Sequence, residues 1–579
     1  MKRNLLRIWP YLWKYKRGWG FGLSSLILKD ITGALLPLVI RYAIDALTSG
    51  KTLKVIAGFA LLLIAVSLVK GFFQYWMRLI LVGISRDVEY DIRNDLFRRL
   101  VTLSPGFFAR SQTGDLMARS TNDLNAVRMM LGPGVMYWTE TSLTFILAIG
   151  IMVWIDWRLA VLALLPAPLV SFNVIFFGRR IHTRFQKIQE MFSEISSRVQ
   201  ENLSGVRMVR AFAQEDAEIR RFEKLNRSYI AQNLRLARLQ GTFEPLLEAL
   251  IGLTFVAVLW AGGRQVLENR ISLGSFVMFN TYMSILVWPM IALGWVVNLM
   301  QRGTASLTRI LEIMDQVPAI AAPPKPLHLA EIRGDITFED VTVDYPAGRA
   351  LGPLNLSISA GNTVAVVGRT GSGKSTLVNL IPRLLDPNQG AVRLDGLDVR
   401  ALAPHDLRAQ IGMVPQETFL FSATIAQNIA FGAENATRED VERAAELAGL
   451  TSDIVGFPNG FETMVGERGL TLSGGQKQRT AIARALVLDP RILILDDALS
   501  SVDTLTEDRI LSGLAHVVAG RTVILISHRV STVRSADEII VLDKGRIVER
   551  GTHDQLIALA GYYADLARKQ TLEEELEAI

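Results

Sequence analysis

The stretch Thr363-Val-Ala-Val-Val-Gly368-Arg-Thr-Gly-Ser-Gly-Lys374-Ser375-Thr376 decides the fold of the second half of the chain. Thr363 to Val367 is an apolar run of the kind that forms a buried strand, and a helical pattern starts at Thr376. Between them lie Gly368, Thr370, Gly371, Ser372 and Gly373. Strand, glycine-rich loop and helix in this order are the context of a phosphate-binding P-loop. The glycines free backbone N–H groups to wrap phosphates at a helix N-terminus, where Lys374 can reach the outer phosphates and the Ser375 hydroxyl can ligate Mg²⁺.

Downstream, Arg491 to Leu495 reads RILIL, a buried-strand run that ends in Asp496 and Asp497. A carboxylate at a strand end beside a P-loop is where such NTPases hold Mg²⁺, and Asp496 is the expected ligand. Between the P-loop and this pair lies Leu472-Ser473-Gly474-Gly475-Gln476, followed by a helical run from Lys477 to Leu488. Its free N–H groups at a helix start can hold an anion.

Toward the N-terminus the character of the sequence changes near residue 310. Half of the 579 residues are hydrophobic, a fifth are charged, and mean hydropathy is +0.28. Ordinary soluble domains carry about a quarter charged residues, so a membrane portion diluted by a soluble one is expected. The absence of cysteine excludes a disulfide framework, a thiolate zinc site, an iron–sulfur cluster and a cysteine nucleophile. A net charge of +6 fits either nucleic-acid binding or basic cytoplasmic loops, and the placement of the charges decides.

A bilayer span takes about 20 mainly apolar residues, and six segments qualify: 18–47, 55–85, 135–155, 159–178, 246–267 and 273–300. Lys29, Asp30, Arg41 and Asp45 interrupt the first. Basic residues crowd the N-terminus, the stretch from Arg86 to Arg128 and the stretch from Arg179 to Arg238, whereas the other loops hold few. Loops left in the cytoplasm retain Lys and Arg, so both termini are expected there and no nucleic-acid partner is needed. No removable signal peptide is apparent early in the sequence, so the first span is expected to persist. The two long basic stretches have helical periodicity, as at Ile188, Phe192, Ile195 and Val199, so the spans are expected to continue into the cytoplasm. They are expected to turn back near Gly114 to Arg119 and near Phe212 to Ala217, and such turns could touch a soluble domain. The expected organisation is a transmembrane domain over 1–315, a proline-rich linker over 316–334, a nucleotide-binding domain over 335–565 and an acidic tail over 566–579. The fold class is a membrane all-α domain of six spans with cytoplasmic helical extensions, fused to an α/β P-loop NTPase domain.

With these motifs in this order, the chain resembles an ATP-binding cassette exporter of the half-transporter type, over essentially its whole length. The resemblance implies ATP and Mg²⁺ as cofactors, and an ATPase coupled to transport at a cell inner (plasma) membrane. It implies that Ser473, Gly474, Gly475 and Gln476 contact ATP held by the P-loop of a second half-transporter. Tyr345 resembles the residue that stacks on adenine, Gln416 the glutamine that joins the Mg²⁺ and water site to the membrane domain, and His528 the histidine that contacts the γ-phosphate. Asp503, in Ser500-Ser-Val-Asp503, resembles part of a loop crossing the dimer interface, and Val465-Gly-Glu-Arg-Gly469 resembles a motif of exporters. His182, His328, His405, His516 and His553 show no metal-ligand spacing and read as surface residues.

One position departs from the family pattern. Hydrolysing sites usually carry Glu after the Mg²⁺-binding Asp, and here the residue is Asp497. A general base acts only within hydrogen-bond reach, and losing a well-placed one typically costs about 10²- to 10⁴-fold. A heterodimer is expected, in which a partner that carries the Glu hydrolyses ATP against Ser473 to Gln476 of this chain while the site on Lys374 and Asp497 hydrolyses slowly, with a homodimer whose Asp497 works adequately as the alternative. Lys29, Asp30, Arg41, Lys70, Arg78, Glu140, Glu244 and Glu248 are candidates to line a substrate path, because ionisable groups in spans are costly. Trp260, Trp288 and Trp295 can line a pocket or anchor at the interface. The expected substrates are amphipathic drugs, lipids or peptides, exported among membrane lipids. An ATP-gated channel on the same scaffold is the alternative of another class.

Overall fold

In the computed structural model, residues 2–577 are described except for 329–331, 434, 467–468, 470, 502–505, 508–509 and 511–519. The chain forms two units, Met1–Thr102 with Ser111–Gln316, and Leu103–Arg110 with Val317–Ile579.

The first unit is helical. A short amphipathic helix, Lys2–Lys14, precedes six helices long and apolar enough to cross a membrane. They run Lys16–Thr48, Leu53–Thr102, Thr113–Ile155, Trp157–Ser204, Glu215–Leu267 and Leu273–Met314. The most apolar window of the second has no buried residue, and Leu61, Leu68 and Phe72 stand more than half exposed along it. An apolar surface of this kind calls for lipid or another apolar surface against it. The first helix packs chiefly on the second and the last, and the fourth chiefly on the fifth. At 1.5 Å per residue, a helix of 50 residues outruns a hydrocarbon core of about 30 Å, so the second helix extends well past the bilayer.

The bends differ from expectation. Residues 114–118 are helical, within Thr113–Ala118, and the first bend lies upstream, around Leu103–Ser104 and Ser111–Gln112. The second break, Phe212–Gln214, follows a separate turn of helix, Val206–Ala211, and Glu215 to Ala217 already belong to the fifth long helix. A backbone reversal needs residues outside helical geometry, and Ala213 supplies one with φ 48°.

The second unit holds two sheets. β1 (Ile336–Tyr345), β2 (Gly348–Ile358), β4 (Gln389–Leu394) and β5 (Leu397–Asp398) form an antiparallel sheet in the order β2-β1-β4-β5. β3 (Thr363–Gly368), β6 (Ile411–Val414), β7 (Ile492–Asp496), β8 (Thr522–Ile526), β9 (Glu538–Asp543) and β10 (Arg546–Gly551) form the other, in the order β10-β9-β3-β8-β7-β6. All its neighbours are parallel except the β9–β10 pair. Strand β3 is buried on both faces: Val364 and Val366 join the core shared with the antiparallel sheet, while Ala365 and Val367 join the core beneath the helices. This is why a central parallel strand reads as a continuous apolar run.

The segment expected to be a free linker is partly fastened within this unit. Leu327 pairs with Leu402 as an isolated bridge, Ile332 is buried, and the N–H groups of Arg333, Gly334 and Asp335 donate to the Asp395 carboxylate. The tail is likewise not a loose appendage, since a helix runs Tyr562–Glu577.

Candidate nucleotide site

Parallel strands end their chains on one edge of the sheet, and that edge collects the site. Val366 lies opposite Ile526, Ile526 opposite Asp496, and Val414 opposite Leu495. Two residues past Val366, Val414 and Ile526 come Gly368, Gln416 and His528, while Asp496 and Asp497 close β7. Ligands of open α/β sheets bind outside these carboxyl ends.

The loop after β3 is shaped by its glycines. A Cβ at Gly368 would lie 2.2 Å from the Leu542 carbonyl oxygen, and one at Gly373, with φ 105°, would lie 2.6 Å from that of Ala350. Only glycine fits both positions. Lys374 starts the helix Lys374–Leu380, and its ammonium donates to the carbonyls of Gly368 at 2.9 Å and Arg369 at 3.0 Å. The loop is thus closed around its own lysine, and the helix begins two residues earlier than the pattern from Thr376 indicates. Burial lowers the pKa of this ammonium, and Asp496 and Asp497 oppose that shift.

Asp496 is buried, which pushes its carboxyl up from the usual range; Ser375, Lys374 and His528 pull it back, and Asp497 adds to the rise. Asp497 is half-buried with a left-handed backbone, φ 50°, and its N–H donates to Ile526 O at 2.8 Å. Its carbonyl accepts from the Ser500 hydroxyl at 3.0 Å. Gln416 and His528 are exposed at the same edge. Tyr345, also exposed, ends β1 opposite Gly348, in a hairpin whose second strand carries the Ala350 carbonyl that crowds Gly373. Thr376 lies in the first turn after the loop.

Ser473, Gly474, Gly475 and Gln476 form a separate anion-ready surface. Ser473 caps the helix Gly474–Leu486, with its hydroxyl accepting from Gln476 N at 3.3 Å and its own N–H donating to Gln476 Oε1 at 2.9 Å. Asp453 accepts from Gln476 Nε2 at 3.0 Å and from Arg479 at 2.7 Å, fixing that cap from outside the helix. Among the described residues no hydrogen bond joins this segment to Gly368–Thr376. Asp503, and Glu467 and Arg468 of the exporter-like motif, lie outside the described residues.

Two glutamines escaped sequence reading. Gln570 accepts from Val530 N at 2.7 Å and donates to His528 O at 2.5 Å, gripping the His528 segment from both sides. Gln478 donates to Ser500 Oγ at 3.0 Å and accepts from Ser501 N at 2.9 Å. Neither sits in a contiguous motif, so no sequence signal marks them. His553 is not a plain surface residue either, as its ring meets the Tyr563 hydroxyl at 2.8 Å.

The groups present fit a magnesium nucleotide. Ser372 Oγ is buried in the loop with no hydrogen-bond partner and could donate to a phosphate oxygen, and the hydroxyl and carboxylate of Ser375 and Asp496 are hard oxygen donors.

A P-loop nucleotide edge carried on a chain with six bilayer-length helices defines a membrane transporter driven by ATP. Residues 19–290 match the ABC transporter transmembrane region family and residues 351–500 the ABC transporter family. The probable multidrug resistance ABC transporter ATP-binding/permease protein YheI of Bacillus subtilis is 36% identical, over 97% of both chains. The ATP-dependent lipid A-core flippase of Syntrophus aciditrophicus is also 36% identical, over 95% of this chain and 92% of its own. A solved bacterial Atm1-family ABC exporter with ATP bound superposes with a TM-score of 0.80 and 29% identity, over 96% of this chain and 99% of that one. The chain belongs to the ABC transporter family, as an exporter half-transporter whose ATPase is coupled to transport.

Proposed function

We propose that this chain is one half of a heterodimeric exporter of amphipathic substrates and that its own P-loop site binds ATP but hydrolyses it slowly. The observation that carries the reading is Asp497 directly after Asp496, where the longer Glu is usual. Gly368, Thr370, Gly371, Ser372, Gly373, Lys374, Ser375 and Thr376 cradle the phosphates, with Tyr345 against adenine. Ser375, Asp496 and Gln416 hold Mg²⁺, which supplies charge neutralisation on the phosphates, and His528 faces the γ-phosphate. Ser473, Gly474, Gly475 and Gln476 complete the site on the partner's P-loop, and Asp503 belongs to the interface. The segment at Ser473 supports that division, since among the described residues no hydrogen bond joins it to this chain's own P-loop. Both termini face the cytoplasm, consistent with the Lys and Arg bias of the loops.

ATP clamps the two soluble units together because it binds the closed arrangement better than the open one, and a ligand shifts an equilibrium only by that difference. The relatives' names, multidrug resistance and lipid A-core flippase, support an amphipathic substrate. Steady-state ATPase of the purified chain alone tests the reading: a turnover well below the common scale of about 10 s⁻¹ is expected. Turnover on that scale, abolished by Asp497→Ala, overturns the slow-site account.

A further inference from the structure

Ionisable groups inside a bilayer span are retained only at a cost, and here they converge. Lys29, Asp30, Lys70 and Glu140, from three different spanning helices, line one cavity of about 220 Å³ with Trp288 on its wall. Lys29 bridges both carboxylates, its ammonium 2.8 Å from Asp30 Oδ1 and 2.5 Å from Glu140 Oε1. Two groups are left over. Asp30 has a side chain only 4% exposed, yet its Oδ2 is buried with no hydrogen-bond partner. Lys70 makes no ion pair among the described residues, and its ammonium lies beside Gly33, one helical turn beyond Asp30.

The four charges cancel. A singly charged guest would therefore leave a net charge in a low-dielectric site, whereas a guest carrying one charge of each sign would not. A buried acceptor lacking a donor calls for an N–H or O–H, and an unpaired ammonium calls for an anion.

We propose that this cavity binds a zwitterionic amphiphile, whose protonated amine donates to Asp30 Oδ2 and whose phosphate or carboxylate meets Lys70. The apolar part of the guest lies against Trp288. This deepens the exporter reading by naming its substrate class, and two sources share the chemistry, an ethanolamine lipid headgroup or a peptide with free termini. Choline headgroups are disfavoured by the same geometry, because a quaternary ammonium has no N–H to give.

Direct binding to the purified full chain in an uncharged maltoside detergent, without nucleotide, tests it. The probes are lysophosphatidylethanolamine, lysophosphatidylcholine, lysophosphatidylglycerol, dodecyltrimethylammonium and trileucine with free termini. Lysophosphatidylethanolamine or trileucine should bind about tenfold or more tighter than the choline and singly charged probes, and whichever of the two binds identifies the source. Asp30→Asn and Lys70→Gln should each erase that preference. Lys70→Gln breaks no described hydrogen bond, so it reads the site even if Asp30→Asn fails to fold. Equal binding of all probes, or a preference that survives Lys70→Gln, overturns the proposal. ATP-driven uptake into inverted vesicles of the native membrane, where the partner is present, is measured separately: uptake with no headgroup preference sinks the site alone, and preference without uptake sinks the exporter reading alone.

Discussion

At Asp497 two constraints meet in one residue. Its backbone is left-handed, φ 50°, a region that Asp enters more readily than most side chains, and its carboxylate is one methylene short of the usual base. Asp497→Glu should raise the ATPase of the purified chain, by up to about 10²-fold where the backbone holds the same geometry, and unchanged turnover would place the defect elsewhere. Lys29 is a different case, because one ammonium pairs with two carboxylates within the span. Lys29→Met should destabilise the membrane unit by about 3–5 kcal/mol, the scale for stranding buried charge, seen as a fall in detergent melting temperature. A melting temperature equal to wild type would show that Asp30 and Glu140 are paired otherwise. The strand–loop–helix order around Gly368–Lys374, the strand end at Asp496 and the helix start at Ser473 were legible in the sequence, since each is written in consecutive residues. The cavity was legible only as a set of suspects. Charge in a span flags Lys29, Asp30, Lys70 and Glu140, but equally flags Arg41, which pairs with Asp45 at 3.8 Å, and Glu244 and Glu248, which stay exposed. Trp295 packs on Tyr137 with ring centroids 5.2 Å apart, while Trp288 reaches the cavity.

Among the elements, the helix Tyr562–Glu577 shows why sequence order hides partnership. Its acidic end reads as a tail, yet Tyr562 lies under the Arg369 guanidinium of the P-loop at 5.8 Å, and Gln570 holds the His528 segment. One amide serving as both donor and acceptor leaves no periodicity to find. Gln570→Ala removes both bonds and should speed hydrogen exchange at Val530 by roughly fivefold, the equivalent of about 1 kcal/mol, while Gln570→Glu, which keeps an acceptor for Val530, should lie between. Equal exchange in all three would mean the helix does not restrain that segment. The cap at Ser473 is a parallel case with a local signature: serine followed three residues later by glutamine marks a helix start. Ser473→Ala should cost about 1 kcal/mol at that helix end, read as faster exchange of the Gln476 amide.

For the whole molecule, the length and apolar character of six helices and the alternating basic loops announced a membrane chain, because a bilayer imposes length and composition directly. The positions of the bends did not follow, since a few residues of broken helix within long polar extensions carry little pattern. Nor does a single chain state what stands across from it. Exporters of this family work as dimers, and the proposed heterodimer assigns the Ser473–Gln476 segment to the P-loop of a different partner. Gentle extraction of the tagged chain from its native membrane, followed by native mass spectrometry, measures this most directly. The account predicts the 64.2 kDa chain in a one-to-one complex with a second, different half-transporter whose Mg²⁺-binding Asp is followed by Glu. Recovery of a complex containing two copies of this chain and nothing else of its kind would contradict it.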